Sequence, residues 1–202
     1  VDVIAHRGLW KTVEEQNTLV AVKRAFEAGF GVEVDVRDYA RYVILSHDPP
    51  VNNPDADLLS MVFEIRKARF RKLPIVIDIK SCGLATELEQ YLFEPNWFCI
   101  GMPYPEAREY MKRKIPVYCR RSDEDYDLWK GSKGYWIDCF ESDWWESVNE
   151  ELPIPSVIVS PELHNRNPLG CWKYVRSLMA QYRPSICTDF PLELKEVMKC
   201  RV

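Results

Sequence analysis

The chain has 202 residues, 47% of them hydrophobic, enough for one well-filled domain over 1–202 and short for two. A net charge of -4 with scattered Lys and Arg leaves no basic footprint for nucleic acid or an acidic membrane surface, so an anionic ligand would have to be attracted locally. No run approaches the roughly 18 uninterrupted apolar residues of a membrane span, and none reads as a secretory signal.

Short β-rich runs alternate with helix-like stretches from one end to the other. Asp2 to His6 reads as a strand and Asn17 to Ala28 as a helix, with Leu19, Val22 and Phe26 on one face. Val32 to Arg37 and Tyr42 to His47 are strands, followed by a helix over Leu58 to Arg69 and a strand over Ile75 to Ile79. Further strands are expected at Phe98 to Gly101, Pro116 to Cys119, Tyr135 to Cys139, Val157 to Ser160 and Ser185 to Thr188. The intervening helices are Ala85 to Phe93, Pro105 to Lys114, Asp123 to Lys130, Trp144 to Glu150 and Leu169 to Tyr182, with Leu192 to Lys199 last.

Nine strands are one too many for a closed eight-stranded barrel. Between Asp35 and Val43 there is no room for a helical crossover, so those two runs must form an antiparallel hairpin. The fold class expected is therefore α/β: a compact single-domain (β/α)8 TIM barrel with a β-hairpin extending from strand 2. The seven cysteines (Cys82, Cys99, Cys119, Cys139, Cys171, Cys187, Cys200) lack any Cys-x-x-Cys pair and mostly sit in apolar runs. They predict buried thiols in a reduced, cytoplasmic protein, not a zinc or disulfide framework.

Such barrels place their chemistry at the C-terminal strand ends. His6, Glu33, Asp35, Asp78, Lys80, Asp138, Glu162 and Asp189 all fall at or just past those ends. With Val32, Val34 and Val36 facing the helices, Glu33 and Asp35 face the barrel axis, where unpaired carboxylates are costly. Asp78 adds a third carboxylate on the next barrel strand, and three converging oxygen ligands suit a hard cation, Mg²⁺ or Ca²⁺. His6 and the hairpin's His47 titrate near neutrality and can pass protons in either direction. Arg7 offers a planar fork for phosphate, Gly8 permits close approach of a ligand, and Lys80 supplies a point charge. The aromatic cluster Tyr135, Trp136, Trp144 and Trp145 suits core packing more than a stacking platform, and Glu162 and His164 lie on another top-face loop within reach of a substrate.

The ordered set IAHRG, EQNTLVA, GVEVDVRD, VILSHDPP, PIVIDIK and CTDFP resembles the glycerophosphodiester phosphodiesterase family, more specifically before Lys80 than after it. The resemblance implies a (β/α)8 barrel, one divalent cation, and hydrolysis of a phosphodiester to an alcohol and a phosphomonoester. It assigns His6 and His47 to the acid/base pair, Glu33 and Asp35 to the metal, and Arg7 and Lys80 to the phosphate. Asp78 stands where the family has a glutamate ligand, and Gln16 replaces the glutamate of its Glu-Asn-Thr motif. Pro49 to Leu73 is shorter than the family's usual insertion, which predicts an open mouth and a small-molecule or lipid-head-group diester as substrate. Rival expectations are a lysophospholipid- or glycan-phosphodiester-cleaving relative, a metal-dependent sugar isomerase or lyase, and a catalytically silent phosphate-binding barrel.

Overall fold

The computed structural model describes residues 2–51, 56–67, 69–124, 129–144, 155–178 and 183–199. Among the described residues nine strands form one sheet: β1 (Val3–Ala5), β2 (Gly31–Tyr39), β3 (Tyr42–Leu45), β4 (Ile75–Ile79), β5 (Trp97–Ile100), β6 (Tyr118–Arg121), β7 (Gly134–Ile137), β8 (Ser156–Val159) and β9 (Ser185–Thr188). Eight of them run parallel in the order β5-β4-β2-β1-β9-β8-β7-β6. Between the two end staves, Cys99 bridges to Val117, and its N–H donates to Pro116 O at 2.8 Å. The result is a nearly closed eight-stranded barrel, as the element pattern predicts.

β3 is the surplus strand. It pairs antiparallel with the outer half of β2, from Val36 opposite Leu45 to Tyr39 opposite Tyr42. Ala40 and Arg41 at the hairpin tip have φ of 47° and 73°, the two left-handed residues that a tight two-residue hairpin turn requires. The return arm then re-enters the barrel mouth, where Ser46 N–H donates to Asp35 O at 3.0 Å and Arg37 Nε to His47 O at 2.9 Å. That fixes the height of His47 above the strand ends.

The helices are α1 (Leu19–Glu27), α2 (Leu59–Lys67), α3 (Ala85–Leu88), α4 (Tyr104–Lys112), α5 (Leu169–Leu178) and α6 (Pro191–Lys199). α1 starts two residues later than expected because Asn17 turns left-handed (φ 57°) and Thr18 caps the helix, its Oγ1 accepting from Ala21 N–H. The helix expected over Ala85 to Phe93 splits into α3 and a 3-10 turn at Glu89–Tyr91. Asp123 starts no helix: its carboxylate accepts the N–H groups of Phe140, Glu141 and Ser142 and pins the loop after β7. Residues 125–128, 145–150 and 179–182 lie outside the described residues, and with them the middle of that expected helix, all but Trp144 of the one over Trp144 to Glu150, and the last turn of the one over Leu169 to Tyr182; Trp129 and Lys130 are not helical.

Strand alternation divides the core into layers. Val32, Val34 and Val36 pack outward with Phe26, Phe63 and Ile77 against the helices. Ile4, Val76, Phe98, Ile100, Trp136, Val157, Val159 and Cys187 fill the barrel interior. Tyr135 and Trp144 join an outer cluster around Trp172, whereas Trp136 turns inward; Trp145 is outside the described residues. Five of the six described cysteines are buried free thiols and Cys82 is exposed. Among the described residues no helix is long and apolar enough to cross a membrane.

Candidate functional site

Strand register brings the acidic groups together. Asp35 on β2 sits opposite Asp78 on β4, and Glu33 lies two residues before Asp35, so the period of two aims all three into the barrel mouth. One oxygen from each of Glu33, Asp35 and Asp78 lies within 4.8 Å of the others. Glu33 is 2% exposed and Asp35 1%. Gly101 makes room for this cluster: its φ is +84°, and a Cβ there would sit 1.9 Å from Asp78 Oδ1.

Cations and amides partly satisfy the cluster. Lys80 Nζ donates to Asp78 Oδ2 at 2.8 Å and lies 3.2 Å from Asp35 Oδ1. Arg7 Nε is 2.8 Å from Asp35 Oδ2, though off the line of its N–H, so that contact is ionic more than a directed hydrogen bond. Asn17 grips Asp35 from both ends, its Nδ2 donating to Oδ2 at 2.8 Å and its Oδ1 accepting the Asp35 N–H at 3.0 Å. The left-handed turn at Arg7 (φ 57°) offers its backbone N–H to Glu33 Oε2 at 3.0 Å.

Burial pushes the Glu33 carboxyl well above its ordinary range, and the charges of Asp35 and Asp78 push it further. Burial raises Asp78 too, against the pull of Lys80. At Asp35 burial is outweighed by Lys80, Arg7 and Asn17, and its pKa falls. Asp78 Oδ1 is buried without a hydrogen-bond partner. Three carboxylates stand against two bound cations here, and one lone oxygen is left aimed at nothing, which is the donor set a hard divalent ion would complete.

These groups open into a cavity of about 310 Å³, at the small end of ligand pockets. Its walls bring together His6, Arg7, Glu33, His47, Asp78 and Lys80. His6 Nδ1 donates to Asp189 Oδ1 at 2.7 Å, which leaves Nε2 3.8 Å from Glu33 Oε2. His47 Nδ1 pairs with Asp48 at 2.9 Å, but the two side chains are 48% and 89% exposed.

Gln16 and Glu162 stand outside that lining. Gln16 Oε1 accepts from Arg7 Nη1 at 3.1 Å and so braces the arginine. Glu162 sits behind the site, its carboxylate accepting from Ser160 Oγ, Thr188 Oγ1 and the Asp189 N–H. It steadies the partner of His6 where a substrate contact was expected, because the 3-10 turn at Pro161–His164 rotates it toward β9. Glu15, the residue before Gln16, pairs with Arg24 at 2.7 Å and does not line the cavity.

Sequence patterns alone underweighted the far wall, where Arg120, Trp136, Asp138, Phe140, Leu163 and His164 line the same cavity. Asp138 and His164 were visible only as isolated strand-end and loop residues. Arg120, an arginine on an exposed strand position, carried no signal.

The chain is thus a (β/α)8 barrel with an acidic, histidine-bearing mouth at its C-terminal strand ends. No known family profile matches the sequence. No curated protein matches it closely either. Among solved structures, a glycerophosphodiester phosphodiesterase from Parabacteroides distasonis ATCC 8503 superposes with a TM-score of 0.66 at 14% identity, covering 98% of this chain and 96% of that one. A glycerophosphoryl diester phosphodiesterase from the same organism gives 0.69, also at 14% identity, with coverage of 98% and 85%. The likeness is one of fold over the whole barrel.

Proposed function

We propose that this protein is a phosphoric diester hydrolase of the glycerophosphodiester phosphodiesterase type, and that Glu33, Asp35 and Asp78 hold one divalent cation, Mg²⁺ or Ca²⁺. The observation that carries this function is the convergence of three buried carboxylates, with Asp78 Oδ1 left unpaired, on a cavity lined by His6, Arg7 and Lys80. The fold shared with two diesterases supports it, as do the residues that resemble the family's motifs. When bound, the cation would supply Lewis-acid polarisation of a phosphoryl oxygen, worth several kcal/mol in the transition state.

The protein's own groups do the rest. Arg7, braced by Gln16 and Asp35, presents the free side of its guanidinium to phosphoryl oxygens. Lys80, held between Asp35 and Asp78, adds positive charge beside them. His6, with Nδ1–H fixed on Asp189, takes a proton at Nε2 from the attacking oxygen, either water or a neighbouring substrate hydroxyl that would form a cyclic phosphate first. A second imidazole returns a proton to the departing alcohol, and His47 is the member of the pair expected from the sequence. Each histidine contributes about 10²- to 10⁴-fold in rate.

A diester larger than a glycerol head group is favoured as an alternative substrate by one feature. A neighbouring cavity of about 320 Å³, lined by Met102, Tyr104, Tyr118 and Trp129, shares Arg120 with the first and offers aromatic rings beside a cation to a bulkier ester group. The free, mostly buried thiols fit a reduced, cytoplasmic setting. The test is hydrolysis of a panel of glycerophosphodiesters and lysophospholipids with Mg²⁺, Ca²⁺ or Mn²⁺, before and after chelation. Turnover that chelation abolishes and metal restores is expected. A wild-type protein inert toward every diester and metal would leave the silent phosphate-binding barrel instead.

A further inference from the structure

Two cavities share Arg120 at the barrel mouth, and they differ in charge. The first holds the carboxylates of Glu33, Asp78 and Asp138. The second, of about 320 Å³, has no acidic residue among those described in its lining, and Arg120 is its charged group. Its other walls include Tyr104 and Trp129, whose rings lie 5.5 Å apart, centroid to centroid.

Strand register decides where Arg120 points. Tyr118 and Arg120 flank the buried Cys119 on β6, and Arg120 lies opposite Trp136 on β7. Tyr118 and Trp136 belong to the inner layer of the barrel, so the period of two turns Arg120 inward as well, at the last inward position of its strand. Its guanidinium rests over the Phe140 ring, 5.7 Å from the centroid, where both cavities reach it.

Partnership sets this arginine apart from the other cations of the mouth. Arg7 is held by Asp35 and Gln16, and Lys80 by Asp35 and Asp78. Arg120 has neither an ion pair nor a side-chain hydrogen bond among the described residues. Asp138 lines the same cavity, but its carboxylate is turned to His164 and to the Cys139 N–H. A planar fork with five N–H donors therefore borders a compartment that offers it no carboxylate. The Trp129 indole adds one more N–H, also without a partner among the described residues. Donors with no acceptor between them fit an oxyanion.

We infer that the second cavity receives the alcohol half of the diester and that Arg120 selects alcohols bearing an oxyanion, a carboxylate or a phosphate; this rests on phosphodiester hydrolysis in the first cavity. Arg7 and Lys80 stand beside the carboxylate cluster, which leaves Arg120 as the cation for a second negative group. A substrate with two anionic groups approaches a chain of net charge -4, and a cation at the rim offsets that repulsion locally.

The test reads substrate preference in two matched pairs. Glycerophosphoserine and glycerophosphoethanolamine differ by a carboxylate, and glycerophosphoinositol and its ring monophosphate differ by a phosphate. Wild type should have the higher kcat/KM on the anionic member of at least one pair, and the pair that shows it identifies the oxyanion. Arg120→Gln should lower that preference about 10- to 100-fold, the worth of a charged hydrogen bond. The change should fall on KM more than on kcat, as for a contact made equally in the ground and transition states. Arg120→Lys, which keeps the charge without the fork, should lie between the two. The side chain is exposed, so both variants should fold, which thermal denaturation checks. No preference in wild type for either anionic member would overturn the assignment. So would an equal loss on all four diesters in Arg120→Gln, which would move Arg120 to the phosphoryl group they share. A wild-type protein inactive on all four would instead refute the diesterase function, and the assignment with it.

Discussion

Adding a divalent cation to the protein is the most direct perturbation of the carboxylate cluster. Glu33 and Asp78 have raised pKa values, from burial first and then from neighbouring acidic charge at Glu33. The cation-free fold is therefore most stable where both are protonated and loses stability as pH climbs through their raised values. Asp35 has the opposite sign: its lowered pKa contributes stability above the ordinary aspartate value, lost only on strong acidification. Between about pH 5 and pH 8 the first pair governs, and a cation that binds the ionised cluster reverses the loss. At a free concentration one hundred times Kd, binding stabilises the fold by about 2.7 kcal/mol. For a chain of this length that is a rise in Tm of about 5–11 °C. Thermal denaturation followed by circular dichroism, with Mg²⁺, Ca²⁺ or Mn²⁺ against EDTA at both pH values, should show the larger shift at the higher pH. No shift with any of the three ions at pH 8, or a larger one at pH 5, would refute a cation site made of these carboxylates.

Two further outcomes are expected. Gly101→Ala places a Cβ where Asp78 Oδ1 lies, at a left-handed backbone, and should lower stability by about 1–2 kcal/mol from backbone strain alone. The same variant should also shrink the cation-induced rise in Tm, and an unchanged rise would show that Asp78 does not need its present position. Asp189→Asn removes the carboxylate that fixes the His6 tautomer and should cut kcat about 10²-fold with little change in KM, measured by steady-state kinetics on any accepted diester. Activity within threefold of wild type would free His6 from that dependence.

The parts of the molecule that were legible in the sequence are those written in period and spacing. The Glu33–Asp35 alternation, the short gap to Val43 and the apolar run at Ile75–Ile79 each specify geometry locally, and the strands and hairpin fall where those signals put them. Glu162 was misjudged for a reason of the same kind. Its direction depends on a 3-10 turn and on hydroxyls at Ser160 and Thr188, neither of which has a periodic signature. Asp138 and His164 are 26 residues apart and meet only because β7 and β8 are adjacent staves with loops tied by Arg166. Such a pair becomes visible once the strand order is known.

The short turn at Pro161–His164 has a consequence for how this mouth can change. Glu162 steadies Asp189 and through it His6, while His164, two residues on, faces the pocket beside Asp138. One four-residue hinge pin therefore sets the spacing of two imidazoles carried by different staves. An insertion or deletion there would shift both rings at once, whereas the hairpin bearing His47 can lengthen or tilt without disturbing either.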